Sequence, residues 1–352
     1  RGETYQSCAE CVRRAEQRQS CFRRGRGRRL RLNDGYVLDL GRNAHDPRDL
    51  LCIGAVLFGR ADFKARAGEF REPARWLFGR AGRERFDALA TPRMNAALTS
   101  RAFPESGYYL LQCGTEGVHD RISALFDCAE LGFGAIAAHG HADALSFTLR
   151  AFGTDVLVDP GTYDYFTFPE WRNYFRSTRA HNTVEVDEAD QSVMHGPFMW
   201  GSRAQARCMS WKSDADGASV SGEHDGYRRF ADPVTHRRTL ELDGKTRTLT
   251  VRDQVLAAGE HRVRVYFHLS EFCVVERCES NAIEIAVAGE RVSLAIDPRL
   301  SIKMLKGSES PIAGWISRGY HQKTPATTIV AYALIRGDAD LVSRILVHSP
   351  RQ

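Results

Sequence analysis

From about Thr99 onward the sequence breaks into short runs in which apolar and polar residues alternate, and this period of two constrains the fold more than any other feature. Tyr108 to Leu111, Ile122 to Phe126, Val220 to Gly222, Thr239 to Leu242, Thr248 to Val251, Val263 to Leu269, Ile283 to Val287 and Thr328 to Leu334 are such runs. Asp243-Gly244, between two of them, is a hairpin signal. Many short strands separated by turns predict a large antiparallel β-sandwich over residues 97–352. Upstream the period lengthens. Leu50, Leu51, Ile53, Val56 and Leu57 predict one amphipathic helix, and Ala65 to Phe78 a second, with Glu72-Pro73 near its middle or at a boundary. The expected class is α+β: a segment over 1–96, partly disordered and then helical, followed by the sandwich.

The stretch from Ala138 to Asp187 holds most of the chemistry. Leu145, Phe147 and Leu149 alternate with Ser146, Thr148 and Arg150, the pattern of a half-buried strand. Gly153-Thr154-Asp155 turns, Val156-Leu157-Val158 returns as a second strand, and Thr183 to Val186 alternates again. His141, Asp159 and His181 thereby fall at strand ends, where rigid backbone can hold ligands in fixed geometry. Two imidazoles and a carboxylate form a familiar zinc set. His139 and His141 share a face if their segment is extended. Either both bind a metal, or one binds it while its neighbour does proton chemistry beside it. The competing account is of polar residues satisfied at strand ends, since ligands spread over some forty residues match no tight motif. Tyr163, Tyr165, Arg172, Arg176, Arg179 and Asn182 crowd the same stretch. Histidine and tyrosine suit proton transfer, and arginine or asparagine suits neutralising a carboxylate. Each alone could pack or be solvated; together, around one metal, they describe a cleft for an anionic sugar.

At 352 residues the chain can hold two domains and a large core. Its 43% hydrophobic and 26% charged residues are ordinary globular values, and its net charge of +5 suits an acidic partner without identifying one. Nothing resembles a nucleic-acid module, and no apolar run approaches the roughly 18 residues of a membrane span. Nine cysteines with no regular spacing leave at least one thiol outside intrachain pairs, and Cys8-x-x-Cys11 is half of a zinc knuckle without a second pair. Residues 1–33, Arg-rich from Arg23 to Arg29, read as a solvated end rather than an arm for an anionic polymer. The opening residues do not read as a signal peptide, and a start at Arg1 is expected of a fragment or a processed form. The oligomeric state is not legible.

The runs His139-Gly-His-Ala-Asp143, Val158-Asp-Pro-Gly-Thr-Tyr163 and Phe175-Arg-Ser-Thr-Arg-Ala-His181-Asn-Thr-Val184 resemble the heparinase II/III family of polysaccharide lyases, which includes alginate and oligoalginate lyases. The resemblance extends from about Asp34 and is most specific between Leu131 and Gln191. It implies an α/α toroid followed by an antiparallel sandwich, residues 1–96 being the tail of the toroid. It also implies β-elimination on a uronic acid polysaccharide and a periplasmic or secreted location. Carried over residue by residue, His139 matches the family's catalytic histidine and Tyr163 an active-site tyrosine. His141, Asp159 and His181 match the ligands of a mainly structural zinc. Arg172, Arg176, Arg179 and Asn182 are then expected to bind the anionic polysaccharide. Asp39-Leu-Gly-Arg-Asn43 departs from the more acidic sequence expected there. The family's other catalytic tyrosine and its carboxylate-neutralising Asn or His come from toroid helices upstream of Arg1. Two further readings stand beside the lyase: a sandwich that binds acidic glycan without cleaving it, and a zinc hydrolase using an open ligand position.

Overall fold

A computed structural model of the chain describes residues 48–90, 98–114 and 119–349. The Arg-rich stretch, Cys8, Cys11, Cys21 and the Asp39 to Asn43 segment lie outside the described residues. The chain divides into two compact units at Ala97 and Leu98. In the first, α1 (Arg48–Phe58) buries Leu51, Cys52, Ile53, Ala55 and Val56, which reach round most of its middle turns. These pack with Phe63, Phe70 and Phe86 into a small core. Helix α2 (Ala61–Ala67) stops at Gly68, whose φ of 82° an L side chain rarely adopts. Helix α3 (Glu72–Ala88) begins with Pro73 in its first turn, where a missing N–H costs nothing. The single helix expected over Ala65 to Phe78 is therefore two, and Glu72-Pro73 marks the boundary.

The second unit is built of antiparallel sheets. A five-stranded sheet runs in order from β1 (Arg101–Phe103) through β2 (Tyr108–Cys113), β3 (Ile122–Asp127) and β4 (Phe147–Ala151) to β5 (Thr154–Leu157). The chain then forms a short helix, α4 (Pro169–Phe175), and β6 (Val184–Val186). A meander of β7 (Ala206–Ser213), β8 (Gly217–His224), β9 (Thr235–Asp243) and β10 (Thr248–Leu256) follows, then β11 (Glu260–His268). Burial alternates along β8, β9 and β10, as their sequence period requires. The last part comprises β12 (Val274–Glu279), β13 (Ala282–Val287), β14 (Glu290–Ala295), β15 (Ser301–Lys306), β16 (Ser308–Glu309), β17 (Ile312–Ala313), β18 (Trp315–Gly319), β19 (Gln322–Pro325), β20 (Thr327–Arg336) and β21 (Ala339–Val347).

An eight-stranded sheet has the order β12-β13-β14-β21-β10-β9-β8-β7, and a four-stranded one the order β15-β20-β11-β6. A bridge between Leu157 and Leu269 joins the ends of β5 and β11, linking the five- and four-stranded sheets. One core runs between the layers, with Phe126, Leu149, Val184, Leu240, Val251, Phe267, Ile329 and Ile345 all in it. The fold is α+β with an antiparallel β-sandwich. Strand β4 departs from expectation: it starts at Phe147, and Ser146 and Thr148 are buried together with Leu145 and Leu149, so both faces are covered. The second strand runs from Thr154 to Leu157, starting two residues and ending one residue before the expected Val156 to Val158. Among the described residues Cys52, Cys113, Cys128, Cys208, Cys273 and Cys278 are free thiols, and no helix is long and apolar enough to cross a membrane.

The start of β4, the end of β5, the start of β6 and the end of β11 lie at one end of the sandwich, because each pair β4–β5 and β6–β11 is antiparallel. The segments 139–146, 158–168, 176–183 and 268–272 that adjoin those ends build the candidate site.

Candidate functional site

His139 and His141 do not share a face. The segment between Gly132 and Ser146 is irregular, and His139 takes a left-handed φ of 61° that turns the chain between the two imidazoles. His139 is exposed, whereas His141 is fully buried. Gly140 between them has backbone pressed against Gly132, whose nitrogen would lie 2.8 Å from any Cβ placed there. The tight loop thus presents one histidine outward and folds the other in.

The buried imidazole meets its partners at once. His141 Nδ1 lies 3.2 Å from His181 Nε2. His181 Nδ1 donates to the Ser177 carbonyl at 2.8 Å, which leaves the lone pair on Nε2 and fixes the ring. Asp159 Oδ2 lies 3.7 Å from that nitrogen, while its Oδ1 accepts the Gly161 N–H at 2.8 Å. Asp143 completes the group: it, His141 and His181 each offer a ligand atom within 4.8 Å of the others. Two imidazole nitrogens and the Asp143 carboxylate converge in a space shut from water, and the expected ligand Asp159 stands outside that group, within 3.7 Å of His181 alone. Buried charges of one sign need a counter-charge, and this donor set fits zinc. Asp143 was not singled out by the sequence, although it continues the alternate positions His139 and His141.

Tyr163 lies beyond Asp159 in the same loop. Its φ is 65°, and the Asp164 N–H reaches back to the Thr162 carbonyl at 2.8 Å, closing a three-residue turn with the tyrosine at its apex. A bulky residue adopts this conformation only where its surroundings impose it, and such strain gathers at working sites. Gly161 permits the approach, since a Cβ there would strike the Ser317 carbonyl at 2.2 Å. The Tyr163 ring packs among Phe168, Trp171, Phe175 and His321, and burial pushes its pKa up. Next to it Asp164 is wholly buried. Burial alone would raise its pKa, but the Phe168 N–H at 2.8 Å and the His321 imidazole at 2.7 Å hold it below the usual carboxylate value. His139 itself stands against the rings of Tyr165 and Phe198, 5.7 and 5.2 Å between centroids.

The cations expected to face substrate are differently placed. Arg172 and Arg176 are each 1% exposed. Arg172 donates to the Pro197 carbonyl and stacks on Tyr165 and Phe198. Arg176 donates to Asn173 and stacks on Trp200, while its carbonyl receives the Ala142 N–H at 2.9 Å. Both support the walls of the site from behind. Arg179 is half-buried, over Tyr174. Asn182 is buried and its amide is spent on backbone: Nδ2 donates to the Phe147 and Val158 carbonyls at 2.8 and 2.9 Å, and Oδ1 accepts the His268 N–H at 2.6 Å. Asn182 therefore ties three strand ends together and has no polar atom left over for a sugar.

A family model described as heparinase II/III-like, C-terminal, matches residues 95–344. No curated protein matches the chain. Among solved structures, heparan sulfate lyase HepC from Pedobacter heparinus is 16% identical, with a TM-score of 0.67 over 92% of this chain and 44% of that one. A structure of heparinase III is 15% identical, with a TM-score of 0.68 over 96% of this chain and 48% of that one. At such identities the likeness is one of fold. The chain spans less than half the length of these proteins.

Proposed function

The chain belongs to the heparinase II/III-like C-terminal family, and from that premise we propose that it supplies the β-sandwich part of the active site of a polysaccharide lyase acting on a uronic acid polymer. The observation that carries the proposal is the division of labour two residues apart. His139 is thrust outward on a left-handed backbone, and His141 is sealed with His181, Asp143 and Asp159 directly behind it. In β-elimination a base removes the C5 proton of a uronate, its electron pair closes a C4=C5 double bond, the C4–O4 bond breaks, and O4 takes a proton. His139 is the base in this proposal. Tyr163, whose phenol burial keeps protonated, donates to O4. Arg179 is the described arginine of this stretch best placed to meet the uronate carboxylate.

His141, His181 and the carboxylates of Asp143 and Asp159 would hold a zinc, whose charge would pin the two segments that frame His139. Burial of all four side chains supports a structural rather than a hydrolytic metal, since an open ligand position needs access for water. A periplasmic or secreted location belongs to the same proposal. The test is to incubate the complete protein with heparan, alginate and other uronate polymers and follow the ultraviolet absorbance of the conjugated product. Polymer binding without any such absorbance would replace the lyase by a glycan-binding sandwich.

A further inference from the structure

Behind the four candidate ligands lies a second buried polar cluster that takes no part in the chemistry above. Arg238, on β9, has no exposed surface. Its Nε and Nη2 grip both oxygens of Asp253 on β10, at 2.7 and 2.9 Å. Asp253 also receives His236 Nε2 at 2.7 Å, and His236 Nδ1 meets His224 Nε2 at 3.2 Å. The register explains the cluster, since His224 faces His236 and Arg238 faces Asp253 across neighbouring strands of the eight-stranded sheet. Burial alone would push the Asp253 carboxyl up, but Arg238 and His236 bring it down to about 2.

The remaining nitrogen of the guanidinium points away from this sheet. Arg238 Nη1 donates to the Leu145 carbonyl at 3.0 Å and to the Asn182 carbonyl at 2.5 Å. Leu145 stands two residues after Asp143 and Asn182 one residue after His181, so a single nitrogen holds both ligand-bearing segments. Leu145 bears a φ of 59°, strained for a branched side chain, and the bond to Arg238 helps to impose it. Thr183 and Gln191 also donate to the Ala144 carbonyl, but neither lies in the eight-stranded sheet. Arg238 ties them to the opposite layer of the sandwich.

We propose that Arg238, braced by Asp253, is a positioning residue that sets the separation of His141 and His181 and so prepares the metal site before any metal arrives. The proposal rests on the metal reading of the site. A planar guanidinium with five donors can hold a carboxylate and two carbonyls at once, whereas an ammonium holds fewer of them and with less fixed geometry. Groups that orient metal ligands from behind are worth about 10–100-fold in affinity.

The test uses the 352-residue chain with zinc and cobalt(II) as probes. Arg238→Lys keeps the charge opposite Asp253, and Arg238→Met with Asp253→Asn removes both charges, so no lone charge is buried. Zinc affinity should weaken by about 10–100-fold in the double variant and by less in Arg238→Lys, with the visible cobalt spectrum altered in both. Far-ultraviolet circular dichroism confirms that each is folded; should the double variant not fold, Arg238→Lys decides alone. Unchanged zinc affinity and an unchanged cobalt spectrum, with only a lower melting temperature, would overturn the proposal and leave the metal reading standing. A wild-type chain that binds neither ion would overturn both.

Discussion

Replacing Asn182 with alanine separates a residue that touches substrate from one that holds strand ends together. The substitution leaves the Phe147 and Val158 carbonyls and the His268 N–H without their partner in a buried place. Each orphaned buried group costs about 1–3 kcal/mol, so the low end for three is roughly 3 kcal/mol. Against a total stability of about 5–15 kcal/mol that is a large loss. For a domain of this size it should lower the melting temperature by roughly 6–12 °C. Asn182→Asp sharpens the test. It keeps the acceptor for His268 but points carboxylate oxygen at two carbonyls, so the folded-state pKa of the new acid must be raised above the unfolded value of about 3.9. Folding then takes up a proton. The deficit relative to wild type should be smallest below the unfolded pKa and grow as pH rises through the folded one. Calorimetry of both variants between acid and neutral pH, with a parallel measurement of KM, is the assay. If Asn182→Ala melts within about a degree of wild type and only KM rises, the side chain reaches substrate and the reasoning is wrong.

Three further outcomes follow from the geometry. His139→Ala should reduce elimination in the complete protein by about 10²–10⁴-fold with zinc content and melting intact, while His141→Ala should lose metal and stability first; equal zinc loss in both would make His139 a ligand. Stripping zinc with a chelator should lower the melting temperature, because binding to the folded state alone adds stability, and an unchanged melt after proven removal would rule out a structural metal. His261 lies between Asp187 and Asp232 at 2.7 and 2.8 Å; burial lowers its pKa, but the two carboxylates outweigh this and raise it. Its contribution is fully present below the unfolded value of about 6.5 and is lost as pH rises through the folded value, so His261→Gln should flatten that part of the stability profile.

The sandwich was legible because its strands alternate in composition, and β8, β9 and β10 bury the residues the alternation assigns to the core. The helix boundary at Glu72-Pro73 was half-legible, since proline ends a helix or begins one and only Gly68 decides which. Periodicity failed at His139 and His141, where one left-handed residue reverses the face on which its neighbours lie. The aromatic and cationic crowd around Tyr163 was visible by composition. Sequence could not say that Arg172 and Arg176 turn inward onto Tyr165 and Trp200, because stacking of that kind depends on partners fixed by the tertiary fold. Arg238 carried half a signal: it stands in phase with Leu240 and Leu242 on the core-facing side of β9, a charge where the alternation calls for an apolar residue, but its two carbonyl partners, 93 and 56 positions away, were not legible.

The meeting of four strand ends also dictates an order of events during folding. His141 and His181 come within reach of each other only once β4 and β6 are set, and Asn182 joins them to His268 across 86 positions of chain. Contacts so distant in sequence form late and slowly, after nearby hairpins have already closed. A growing polypeptide that ends before β11 lacks His268, and one that ends before β20 lacks the strand that flanks β11 on its other side. On the proposed metal reading, zinc would therefore be captured as a closing step, a seal on a finished sheet rather than a seed around which the sheet assembles.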